Sequence, residues 1–272
     1  MKLSNNTTDR LKNKYGKWVL ITGATSGIGR EMAILLGNAG FNLVITGRRE
    51  QELEGLSSQL FEANKIEVIP MPGDLSIRED VDELLSQTAH LPLGIVILNA
   101  GYGTSGKFGA TSIDQEVNML RLNAESLMIS AHHFINLIQE QRRTGAIVFL
   151  SSMVAFQGVP YTAHYAATKA YVQSLGEALG VELKGSGIDV LNAAPGPVNT
   201  GFSSRANLKM KNAAHPEKIA FNIIKAIGRK RTVFPDGMTK FLVYSLGMLP
   251  RGLKTKVMGS VMKGFTEHQK SK

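Results

Sequence analysis

The sequence predicts an α/β fold, a doubly wound parallel sheet with helices on both faces, and three observations predict it. Short apolar runs of β character alternate with helical patterns along most of the chain. A glycine-rich turn joins the first of those runs to the first helical segment. The length, 272 residues at 43% hydrophobic and 19% charged, suits one large unit whose core needs no covalent staple. A single Rossmann-type domain over residues 1–272 is therefore expected, with an amphipathic C-terminal region.

The elements follow in order. Residues 19–22 form an apolar strand that runs through the glycine turn into a helix over 27–37. Strand 43–46 leads to a helix over 50–63, strand 66–71 to one over 77–89, and strand 93–99 to a long one over 112–139. Strand 146–151 precedes a helix over 162–184. Strand 188–193 opens an irregular stretch, 195–213, rich in Pro, Gly and Asn. A helix over 216–229 leads to a short apolar run at 232–234, and residues 241–265 mix apolar and basic residues. No internal repeat, low-complexity segment or linker interrupts the pattern. In such folds ligands sit beyond the carboxyl ends of the strands.

The turn reads Thr22-Gly-Ala-Thr-Ser-Gly-Ile-Gly29. Gly23 allows the tight turn, Gly27 lets backbone approach a pyrophosphate, and Gly29 permits close packing of helix on sheet. Thr25, Ser26 and Ile28 complete the loop, and the helix start offers unpaired N–H groups to phosphate. After the second strand, Gly47 stands where an NAD site usually carries an acid, and Arg48 and Arg49 follow. Guanidinium groups suit a 2′-phosphate, so NADP(H) is the expected cofactor, with Arg48 the stronger candidate. Two solvated arginines heading a helix are the plain alternative. Asp74 and Leu75 follow the third strand, where Asp74 either contacts adenine or caps the next helix. Asn99, Ala100 and Gly101 follow the fourth, small enough to leave room for a nucleotide.

Ser152 ends the fifth strand, and Tyr165-Ala-Ala-Thr-Lys169 lies thirteen residues on. Four residues apart on a helix, Tyr165 and Lys169 share a face. A phenol near pKa 10 is a poor acid–base group at neutral pH, and a neighbouring ammonium is expected to pull it down. Ser152 can hold a substrate oxygen that Tyr165 protonates or deprotonates. A Tyr-x-x-x-Lys pair alone is common on helix surfaces. His164 beside Tyr165 is expected to point away from it.

The whole set, with Pro195-Gly-Pro-Val-Asn-Thr200, resembles the classical short-chain dehydrogenase/reductase superfamily in order and spacing from about Lys17 to Thr200. That resemblance implies an oxidoreductase acting on a small-molecule carbonyl or alcohol, with the substrate lid in about residues 200–272. It implies that Lys169 also binds the nicotinamide ribose, and that Asn123, rather than Asn118, holds a water in a proton relay. It implies that Pro195, Gly196, Val198 and Thr200 line the nicotinamide and its phosphate, and that the protein is a homodimer or homotetramer built on the fourth and fifth helices. Residues 225–250 are similar to a branch of reductases with lipid-like or steroid-like substrates, so an apolar ketone or aldehyde is expected, reduced with NADPH.

Composition sets outer bounds. With no cysteine, disulfides, thiolate catalysis and cysteine-ligated zinc are excluded, and the six scattered histidines suggest no metal site. The polar, basic first seventeen residues lack the apolar core of a secretory signal, so the cytoplasm is expected. The net charge of +9 concentrates in residues 240–272, where seven Lys or Arg face Glu267 alone. No nucleic-acid module accompanies it. Membrane-surface contact, core packing and dimerisation stay open for this tail. A non-catalytic NADP-sensing module and a non-redox member of the same fold are the competing functional readings.

Overall fold

The structure, a computed structural model, describes residues 1–209 and 213–271. Seven strands are threaded through it: β1 (Trp18–Thr22), β2 (Asn42–Gly47), β3 (Val68–Pro72), β4 (Leu93–Leu98), β5 (Gly145–Leu150), β6 (Ile188–Ala193) and β7 (Thr232–Val233). All pair in parallel, in the order β3-β2-β1-β4-β5-β6-β7. The winding reverses between β1 and β4, which opens the ligand crevice at their carboxyl ends.

Side chains alternate across the sheet and so feed two cores. From β1, Val19 and Ile21 join the cluster under α2 (Gly27–Asn38), α3 (Glu50–Asn64) and α9 (Pro216–Ala226). Trp18 and Leu20 join the other, under α4 (Arg78–Thr88), α6 (Ser126–Glu140) and α7 (Ala163–Glu182). Burial on both faces explains why the strands read as continuous apolar runs.

Four features depart from the sequence expectation. A helix, α1 (Asn5–Tyr15), opens the chain where only a polar, basic segment was read. Ser4 caps it, and Leu3, Leu11 and Tyr15 are buried at the amino-terminal end of the sheet. The helix expected over 112–139 is two, α5 (Ile113–Leu120) and α6, joined by a π-helical turn at Arg121–Glu125. The irregular stretch holds a short helix, α8 (Gly201–Arg205), while its residues 210–212 lie outside the described residues. The amphipathic tail resolves into α10 (Gly237–Gly247) and α11 (Arg251–Thr266). Met258 and Met262 on α11 pack on Val159 and Ala166, a third cluster beside the carboxyl ends of the strands.

Candidate active site

Strand ends and loops converge there on a cleft of about 600 Å³. Its floor begins at the glycine turn. Gly27 sits at φ 60°, and a Cβ on it would come within 3.0 Å of the Thr200 methyl. Gly29 lies behind the lining, where a side chain would overlap the Asn99 amide and the Gly23 carbonyl, so its part is to let α2 close on β4. Thr22 Oγ1 accepts from the Asn99 and Ala100 amides at 2.9 Å each, and Asn99 Nδ2 donates to the Thr22 carbonyl at 2.9 Å. These bonds fix the β1–β4 crevice from both sides.

Gly23, Thr25, Ser26 and Ile28 line one end of the cleft with Arg48, Arg49, Asp74 and Leu75. Arg48 pairs with Asp74 at 3.4 Å, and Arg49 donates to Thr25 Oγ1 at 2.8 Å. Asp74 does not cap α4; its Oδ1 accepts from the amide and hydroxyl of Ser76, at 3.1 and 2.7 Å. Those hydrogen bonds and Arg48 hold its carboxyl below the usual range, against the opposing effect of burial. Arg205 of α8 lines the same end and was not anticipated; burial and repulsion from Arg49 and Arg48 lower its pKa. Arg49 also pairs with Glu52 at 3.2 Å, and three guanidinium groups against two carboxylates leave this end a net positive receptor for an anion.

Ala100, Gly101, Pro195, Gly196, Val198 and Thr200 carry the lining toward the other end, where Tyr165 and Lys169 stand on α7. Lys169 Nζ lies 6.0 Å from the centre of the Tyr165 ring and donates to the Leu150 carbonyl at 2.7 Å. Burial lowers its pKa to about 8. Burial also pushes the Tyr165 phenol up, to about 12, although a hydrogen bond with Ser152 works the other way. The expected lowering of that phenol by Lys169 is thus absent. In this dry pocket the ammonium is aimed at a backbone carbonyl, and desolvation outweighs what remains of its pull.

Asn123 sits in the π-helical turn, fully buried. Its Nδ2 donates to the Tyr102 carbonyl at 2.8 Å and to Thr168 Oγ1 at 3.1 Å, and its Oδ1 accepts from the Tyr102 amide at 3.1 Å. π-turns often mark functional positions in helices. His164 turns to the Glu116 carbonyl, 3.1 Å away.

The resemblance implied a substrate lid in residues 200–272 without saying which of its side chains face the cleft. Leu242 and Leu246 of α10, with Val257, Met258, Val261, Met262 and Phe265 of α11, close the cleft above Tyr165. Phe202 of α8 stacks obliquely on the Tyr165 ring, centroids 5.3 Å apart. Met258 and Met262, in a tail for which core packing and dimerisation stayed open, thus also face the cavity. Apolar periodicity alone does not say what a helix covers.

The arrangement joins an anion-binding end, a glycine-lined floor and a buried phenol–amine pair, as a dinucleotide and a carbonyl compound together require. Residues 17–211 match the short chain dehydrogenase family. The chain belongs to that family. It is accordingly an oxidoreductase of CH–OH and C=O groups, working with a nicotinamide cofactor, on a Rossmann-like fold. A 7β-hydroxysteroid dehydrogenase of Mediterraneibacter gnavus is 28% identical over 241 residues, 86% of this chain and 91% of that one. A solved 7β-hydroxysteroid dehydrogenase, studied for its stereoselectivity, superposes with a TM-score of 0.83 at 26% identity, covering 91% of this chain and 98% of the other. A short-chain dehydrogenase from Sphingobium yanoikuyae in complex with NADPH gives 0.78 at 26% identity, covering 89% and 94%.

Proposed function

We propose that this short-chain dehydrogenase reduces a bulky apolar ketone or aldehyde with NADPH. The observation that carries the reading is the placement of the buried Tyr165 on α7, flanked by Lys169, beneath a roof of wholly apolar side chains. Bound NADPH supplies a hydride to the carbonyl carbon. Ser152 donates a hydrogen bond to the substrate oxygen, and Tyr165 gives that oxygen its proton. A phenol near pKa 12 is protonated at neutral pH, as an acid in the reducing direction must be, and a developing alkoxide is more basic than its phenolate. Lys169 would bind the nicotinamide ribose of the cofactor and keep positive charge near Tyr165. Asn123 ties the Tyr102 backbone to α7 through its carboxamide, and its backbone carbonyl in the π-helical turn would hold the relay water.

Arg48 and Arg49 support NADPH over NADH, since Gly47 removes the carboxylate that would repel a 2′-phosphate. The NADPH complex of the Sphingobium relative supports the same choice. The 7β-hydroxysteroid dehydrogenases support a rigid, steroid-sized substrate, and the roof provides apolar surface for one. The cytoplasm and a homodimer or homotetramer complete the proposal. Ile113 and Val117 on α5, Leu120 at its end, and Met128 on α6 offer exposed apolar surface for a second copy.

The test is a screen of apolar ketones, steroid ketones among them, followed by loss of NADPH absorbance. Tyr165→Phe should lower kcat by about 10²–10⁴-fold while NADPH binding persists. Turnover unchanged in that variant would remove the mechanism.

A further inference from the structure

Helix α10 is apolar on two opposite sides. Leu242 and Leu246 line the cleft, and Thr239 is buried. At about 100° per residue, Met238, Phe241, Tyr244 and Met248 fall within one outward arc of roughly 120°. Those four are 69, 67, 61 and 83% exposed. A helix apolar all round is ordinarily covered all round; here the outer arc is largely open, with Tyr244 meeting Phe234 edge-on at its margin, centroids 5.9 Å apart. Helix α11 continues the surface with Leu253, Val257 and Val261, each also open to solvent.

Charge decides what covers this surface. From Gly237 to Thr266 the sequence has Lys240, Arg251, Lys254, Lys256 and Lys263 and no acidic residue. Among the described residues none of the five has a carboxylate partner. A two-fold contact between copies through this face would press the five cations of one against the same five of the other. An anionic sheet of lipid instead satisfies both properties at once, with apolar side chains at the headgroup–acyl boundary and amines among the phosphates. The face is also continuous with the cleft, because Val257 and Val261 belong to both.

We propose that the α10–α11 face seats the protein on an anionic phospholipid bilayer, with the roof of the cleft turned toward the lipid. This docking does not depend on which cofactor or carbonyl the cleft takes. No helix among the described residues is long and apolar enough to cross a membrane, so the attachment is peripheral.

The experiment is vesicle co-sedimentation of the full chain, with turnover of a water-soluble ketone and light-scattering mass measured in parallel. Wild type should pellet with mixed phosphatidylcholine–phosphatidylglycerol vesicles, not with pure phosphatidylcholine, and high salt should weaken the binding. Met238→Gln/Phe241→Gln/Met248→Gln should weaken it by about tenfold or more, with turnover and mass unchanged. Arg251→Glu/Lys256→Glu, which leaves the apolar residues in place, should do the same. Phe241→Trp should shift its emission to the blue on anionic vesicles. Failure of the wild type to pellet, equal binding by both variants, or a fall in oligomeric mass in the triple variant would overturn the proposal.

Discussion

Lys169 shows how much a single buried group can set against the fold that holds it. Its folded pKa of about 8 lies below the ordinary lysine value of 10.5, so between those values the unfolded chain binds more protons. Stability therefore rises with pH across that window, and below pH 8 the buried ammonium costs the cofactor-free protein roughly 3 kcal/mol at about 1.4 kcal/mol per unit. Lys169→Met should raise the Tm of the cofactor-free protein at pH 7, with the gain vanishing near pH 10.5. A lower Tm at pH 7 would mean that the bond to the Leu150 carbonyl outweighs the desolvation. In turnover the same titration should make kcat/KM for reduction fall as pH rises through about 8. Arg48 belongs to this scale too. Arg48→Ala should cut the preference for NADPH over NADH by about tenfold or more, from the loss of one charge-assisted contact worth about 1.5–3 kcal/mol. An unchanged preference would move the selectivity to Arg49 and Arg205.

Among the elements, the strands and the helices on either face were legible because burial on both sides writes itself as apolar runs between amphipathic ones. The catalytic candidates were legible for a related reason. Ser152, Tyr165 and Lys169 sit at a strand end and one turn apart on a helix, so local spacing already fixes their relation. Helix α1 was not legible, because its buried residues, Leu3, Leu11 and Tyr15, are too few to stand out among nine polar or charged neighbours. What seats it lies far away: Gly94 leaves space for the Tyr15 backbone, which any Cβ there would overlap. Gly94→Ala should therefore unseat α1 and lower the Tm by several degrees, as should removal of residues 1–16, which strips three buried side chains at about 1.5–3 kcal/mol each. A Tm unchanged by either would show that α1 adds nothing to the sheet. The π-helical turn was hidden as well, since no residue of Arg121–Glu125 breaks helical periodicity. The roof was read as an amphipathic tail, and its position depends on Thr239 packing against Gly196 across the whole cleft mouth.

At the scale of the molecule, cofactor and fold are linked through the cleft. Its walls come from both halves of the sheet and from the last two helices, so a ligand spanning it ties them together. NADPH at a hundredfold excess over its Kd should add about 2.7 kcal/mol, a rise in Tm of roughly 5–10 °C for a chain of this size. NADH at the same concentration should add much less, and equal shifts would contradict NADPH selectivity. The positive charge fits the same picture: Arg48, Arg49 and Arg205 draw a polyanion to one end, while the basic residues of α10 and α11 lie outside the cleft lining, beside the apolar roof.

Helix α1 has one more consequence, for the birth of the chain. Arg10 reaches the carbonyls of Ile227 and Lys225, and Tyr15 reaches the carboxylate of Asp189, across 217, 215 and 174 residues. Part of the seat, at Gly94 and Thr144, is thus made well before Asp189 and the carbonyls of Lys225 and Ile227. During synthesis the helix can dock on β4 and β5 first and gain its last anchors late. A product cut short before residue 225 would lack both Arg10 anchors and hold that helix less firmly, an easier target for proteolysis.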